Sequence, residues 1–175
     1  MSSQTTATAK IRGSVGRRSS LLADRIEEGA ALLADFAEGL SEEEWHAPVS
    51  ATDRRSVGLI VHHVASMYSI EIDVARAIAN GQAVTDVTWD AVAELNAKHA
   101  DEHADETKAT ALELLRRNSH EAANAVRMYT DEELDRAAPF SLSFGAPVTA
   151  QFVIEDHALR HSWHHLARLR KALDR

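Results

Sequence analysis

The sequence predicts an all-α protein built as a four-helix bundle. Apolar residues recur every three to four positions through four long segments, the period of a helix with one buried face. Ala and Leu abound while aromatic residues make up only 5% of the chain, which suits helices packed on small side chains better than a sheet. Helix-capping patterns open several segments and glycines close two of them.

Residues 1–18 carry Lys10, Arg12, Arg17 and Arg18 among Ser, Thr and Gly, with no acid, and read as a flexible basic tail. Residues 19–175 then form the bundle domain. Ser19 or Ser20 caps a first helix that presents Leu22, Ile26, Leu33 and Phe36 and stops at Gly39. Ser41 to Glu44 is a capping box for one short turn through Trp45, and residues 48–55 form a loop. A second helix runs from Ser56 to Asn80 and ends at Gly81. Thr88 and Trp89 open a third, which continues to about Glu106. Thr107 or Thr110 caps its continuation to Tyr129, so the stretch is one kinked helix or two. Thr130 to Glu133 is a second capping box. Residues 137–148 hold Pro139, Gly145 and Pro147 and form the longest loop, with Ser141 to Phe144 weakly extended. A last helix spans Thr149 to Ala172.

The net charge of -8 disfavours a nucleic-acid partner. No run approaches the roughly 18 apolar residues of a membrane span, and no apolar signal core opens the chain, so a cytoplasmic location is expected. There is no cysteine, which excludes disulfides, thiolate ligands and a cysteine nucleophile, whereas there are ten histidines.

Advancing each helix by about 100° per residue sorts those histidines. On the second helix, His63 falls in the apolar sector with Leu59, Ile60, Met67, Ile70 and Val74, while His62 falls opposite, with Ser69, Asp73 and Arg76. On the last helix, His161 and His165 share the inward sector of Ile154, Ala158, Leu169 and Ala172. His157 and His164 fall with Arg160, Arg168 and Lys171. The i, i+4 spacing of His161 and His165 stacks two rings one turn apart, so both reach one ion. On the third helix, Trp89, Val92 and Ala100 mark the apolar side, and Asn96, His99 and His103 share it.

Burying several imidazoles without partners costs on the order of 1–3 kcal/mol each, and a shared metal removes that cost. His63, His161 and His165 are therefore expected to ligate one divalent ion. An all-imidazole set suits Zn, Ni, Fe and Cu alike. His99 and His103 are candidates for pocket lining or for a general base, with Trp89 and Asn96 lining a substrate pocket. His46, His62, His120, His157 and His164 are expected at the surface.

The segments SVGLIVHHVASMY (56–68) and EDHALRHSWHHLARLRKAL (155–173) resemble the two signature helices of the DinB-like superfamily. That group includes YfiT-like proteins, bacterial low-molecular-weight-thiol transferases and mycothiol-dependent maleylpyruvate isomerases. The resemblance covers residues 20 to 173. It implies a DinB-like bundle in up-down-down-up order, a homodimer, and metal ligands at His63, His161 and His165. The isomerases resemble a two-histidine, one-glutamate site, and His161 stands at the position that differs.

Three imidazoles leave a divalent ion open positions, the pattern of a reactive site. The resemblance favours a metal-dependent enzyme acting on a small molecule by thiol S-transfer, with a low-molecular-weight thiol such as mycothiol as cosubstrate. A metal-dependent hydrolase or isomerase using activated water is the alternative enzyme. A non-enzymatic metal- or ligand-binding stress protein is the alternative outside catalysis.

Overall fold

The computed structural model describes residues 16–175. Most of the expected tail, residues 1–15, lies outside them. The helices are α1 (Arg17–Glu38), α2 (Glu42–His46), α3 (Val57–Ala79), α4 (Trp89–Glu102), α5 (Lys108–Arg127), α6 (Asp131–Asp135), α7 (Ala150–Val153) and α8 (Arg160–Ala172). A π-helical turn, Ile154–Leu159, joins α7 to α8 without a break. Strands β1 (Ala137–Pro139) and β2 (Pro147–Thr149) form one antiparallel ribbon.

Local chemistry explains the boundaries. Ser56, Thr88, Thr107 and Thr149 each accept a backbone N–H of the turn they open. Both expected capping boxes, Ser41 with Glu44 and Thr130 with Glu133, are formed. At the end of α3, Gly81 N donates to Ile78 O and Gln82 N to Ala77 O, a Schellman closure that needs the positive φ of 75° at Gly81. One boundary differs from expectation: helix α1 starts at Arg17, because Arg18 is held by Asp131 and Asp135 and so belongs to the folded domain. Of the two readings of the third segment, the structure takes two helices, since Thr107 starts α5 afresh just after the chain turns at His103. The segment expected to be weakly extended is a short 3₁₀ turn, Ser141–Ser143, at the tip of the ribbon.

Four long elements make the bundle, α1, α3, α5 and the α7–π–α8 rod, and side-chain contacts fix their directions. Lys108, at the start of α5, donates to Leu40 O just past the end of α1, so α5 runs antiparallel to α1. Tyr68, Ile72 and Arg76 of α3 share a groove with Asn118, Ala122 and Ala125 of α5, so those two are parallel. Trp163 of α8 donates to Arg25 O and Arg175 to Gly39 O, so α8 follows α1. Against α3, α8 is antiparallel, with Tyr68 bonded to Ser162 at 2.6 Å and Asp53, before α3, held by Arg168. The order is up-down-down-up.

The core is formed by Ile26, Leu33, Ile60, Tyr68, Ile78, Leu115, Leu134, Ile154 and Leu166, with Trp45 of α2 wedged beneath α3. Residues 57–65 of α3 are buried all round. Among the described residues, no helix is long and apolar enough to cross a membrane.

Candidate metal centre

The buried N-terminal half of α3 delivers His63, and antiparallel α8 delivers His161 and His165 from across the bundle. Ring centroids lie 5.1 Å apart for His63 and His161, 5.8 Å for His63 and His165, and 4.9 Å for His161 and His165. One nitrogen from each ring falls within 4.8 Å of the others. A shared ion at the usual metal–nitrogen distance of about 2.0–2.1 Å would draw these three nitrogens closer together.

Burial disfavours the charged form of His63 and His165. It pushes His63 down to about 3 and His165 to about 2, with the neighbouring His161 ring adding to both shifts. A neutral imidazole offers a lone pair, which is what a metal requires. Glu71, two turns along α3 from His63, sets the tautomer of the third ring. The His161 Nδ1–H donates to Glu71 Oε1 at 2.7 Å, which leaves Nε2 free to ligate. Two buried side-chain atoms here have no hydrogen-bond partner among the described residues, His165 Nδ1 and Glu71 Oε2. An unpartnered His165 nitrogen beside two further imidazoles, one of them backed by the Glu71 carboxylate, fits a divalent cation.

A cavity of about 420 Å³ opens beside the trio. His63, His161 and Glu71 form its polar wall, and Met67, Ile70, Val74, Val92, Leu95 and Leu142 form much of the rest. Trp89 and Asn96 line it as the sequence suggests, but Trp89 sits at the rim and remains 59% exposed. His99 and His103 do not line the cavity. His99 packs 5.4 Å from the His63 ring, yet both α4 histidines turn toward His62. Asp86 and Glu71 are the carboxylates that line the cavity, and the one bonded to a ring of the trio is Glu71. Wheel sorting missed it, although an acid between Met67 and Val74 in an otherwise apolar sector was a readable signal.

Two of the five histidines expected at the surface are elsewhere. His46, His120 and His164 are exposed. His62 is only 4% exposed, and its Nδ1 lies 2.9 Å from His99 Nε2. Its angle on the helix is polar only further down, where Ser69, Asp73 and Arg76 meet solvent. At residue 62 the helix is covered on every side, by α4 on this one. His157 borders the cavity and packs edge-on against Phe140 at 5.8 Å. It lies in the π-helical turn, where the chain rotates less per residue than the 100° assumed, so its face shifts toward that of His161.

Comparison with known proteins agrees with this fold. No curated protein matches the chain. Among solved structures, YfiT from Bacillus subtilis superposes with a TM-score of 0.72 at 18% sequence identity, over 95% of this chain and 92% of that one. YfiT is described as a probable metal-dependent hydrolase with an unusual four-helix bundle topology, and the likeness at this identity establishes the fold. The family model of the DinB superfamily matches residues 25–169, which take in the first signature segment, the second as far as residue 169 and all three of His63, His161 and His165, and the chain belongs to that superfamily.

Proposed function

We propose that this protein is a metal-dependent enzyme that joins a low-molecular-weight thiol to a small, largely apolar electrophile. The observation that carries the reading is a converging trio of imidazoles, two of which, His63 and His161, line a largely apolar cavity. His63, His161 and His165 would hold a divalent ion, with Zn, Ni or Fe the candidates, and when bound it would supply Lewis acidity toward a thiol.

The chain's own residues supply the rest. Glu71 Oε1 holds His161 in the ligating tautomer, and its unpartnered Oε2 stands ready to take the thiol proton. The apolar walls exclude water from the electrophile, and Trp89 and Asn96 border it at the α4 side. The sulfur forms a bond to the electrophilic carbon, whose leaving group departs with the bonding pair. With no cysteine, the chain presents no thiol of its own to compete.

Hydrolysis is the second reading, favoured by the same free oxygen. A carboxylate able to take a proton from a thiol can take one from water, and YfiT carries a hydrolase description. The test is to screen metal-loaded protein with a panel of small thiols and a fluorogenic electrophile, beside a panel of activated esters and amides. Thiol conjugation that is lost on chelation and in His161→Ala supports the proposal. Metal-dependent ester or amide cleavage without conjugation moves the assignment to a hydrolase. Stoichiometric metal with neither activity leaves a metal-binding protein without turnover and overturns both.

A further inference from the structure

We propose that His62, His99 and His103 hold a second divalent transition-metal ion, which fastens α4 over the cavity. Their ring centroids lie 5.1 Å apart for His62 and His99, 4.3 Å for His62 and His103, and 4.9 Å for His99 and His103. One nitrogen from each falls within 4.8 Å of the others, the same convergence as in the first trio.

The arrangement repeats the first trio part by part. Helix α3 gives one histidine, His62 here and His63 there. A second helix gives a pair spaced i, i+4, His99 and His103 here and His161 and His165 there. A glutamate backs one ring of each pair through Nδ1, Glu106 on His103 at 3.2 Å and Glu71 on His161 at 2.7 Å. A backing carboxylate orients a ligating imidazole and raises its basicity. Ser66 closes the site, since its hydroxyl donates to His63 O and lies 3.1 Å from His99 Nε2.

An independent observation concerns what holds α4 down. The only buried residue of this helix is His99. Its exposed apolar residues, Trp89 and Leu95, border the cavity rather than the core. A helix whose one anchor is an imidazole is secured weakly by packing and firmly by a metal bond. Borderline ions that favour imidazole, Zn and Ni first, are the class of ligand.

The two trios are neighbours, with the His63 and His99 ring centroids only 5.4 Å apart. Two dications in adjoining trios would repel, so the second ion binds in a separate, weaker step. This inference concerns other side chains than the thiol-transfer reading, and it extends the same metal centre.

The test is titration of chelator-stripped, untagged protein with Zn²⁺ or Ni²⁺ alone, by calorimetry and by equilibrium dialysis with elemental analysis. The wild type is expected to take up two ions per chain in two steps. His62→Ala and His103→Ala should each lose the weaker step and keep the tighter one, while His161→Ala should keep a single site on the other trio. Because His62 is buried, the partly exposed His103 provides the variant least disturbing to the fold, and circular dichroism checks both. Amide hydrogen exchange across α4 should slow when the second equivalent is added to the wild type, and not in His103→Ala. One ion per chain in the wild type, unchanged in His62→Ala and His103→Ala, overturns the second site and leaves the first standing. No uptake at all overturns both.

Discussion

Glu71 presents two oxygens in different situations, one bound to His161 and one buried without a partner. Glu71→Gln keeps an acceptor for the His161 N–H but can no longer take a proton. It should hold zinc within about tenfold of wild type, while Glu71→Ala should weaken it 10–100-fold, the range for lost support behind a ligand. Turnover should fall steeply in both, so parallel zinc titrations and rate measurements separate positioning from proton transfer. The buried rings set the acid behaviour of the metal-free protein. Burial holds His63 near 3, His165 near 2 and His99 near 4, whereas the unfolded chain titrates near 6.5. Between those limits the unfolded state binds protons that the folded state refuses, so stability is fully present above about 6.5 and is lost as pH falls. Melting temperatures in chelator should drop between pH 7.5 and pH 5. An unchanged melting temperature would show that these rings charge freely in the fold. At this scale the first trio was legible, because the spacing and the apolar sector both survive in the structure. His62 was not, because an angle on a wheel says nothing about what covers that side of the helix.

At the scale of elements, α3 is the piece on which both trios depend, and α2 supports it. A Cβ added at Gly58 would sit well inside van der Waals contact with the Trp45 indole, whose Nε1–H donates to Glu106 O. Gly58→Ala should destabilise the fold by about 1–3 kcal/mol through overpacking, despite alanine's better helix propensity. Denaturant unfolding measures it, and a stabilised variant would mean that α2 yields without cost. The long helices were readable because caps and periodicity agree at Ser56, Thr88 and Gly81. The split between α4 and α5 stayed open, since Thr107 and Thr110 are equally good caps in isolation. Tertiary contact decides it: the chain turns where His103 meets His62 and Glu106.

For the molecule as a whole, up-down-down-up order makes α3 and α8 antiparallel neighbours. His63 thereby meets His165, and Glu71 meets His161. Spacing along the chain could not reveal that order, because the connections at residues 80–88 and 136–149 are long enough for either. Metal bound between α3 and α8 should act as a ligand of the native state alone. A free zinc concentration one hundred times its dissociation constant should add about 2.7 kcal/mol to unfolding free energy. Thermal melts with and without zinc should show the gain in wild type. Equal gain in the His161, His165 double alanine variant would place the ion elsewhere.

The π-helical turn before α8 has a geometrical consequence. It acts as a phase shifter in a continuous rod. Ala150 and Val153, ahead of it, keep the phase that the hydrophobic core demands, while His161 and His165, behind it, take the phase that the ligand cluster demands. An uninterrupted α-helix would have to satisfy both with one rotation. Removing a single residue from 155–157 should restore ordinary α-helical winding and turn one half against the other by about 100°. Since the capped end at Thr149 is anchored by the ribbon, the imidazoles are the half expected to swing away. Such a deletion should leave the helical content intact and abolish zinc binding, and a shortened protein that still bound zinc would show that the turn is incidental.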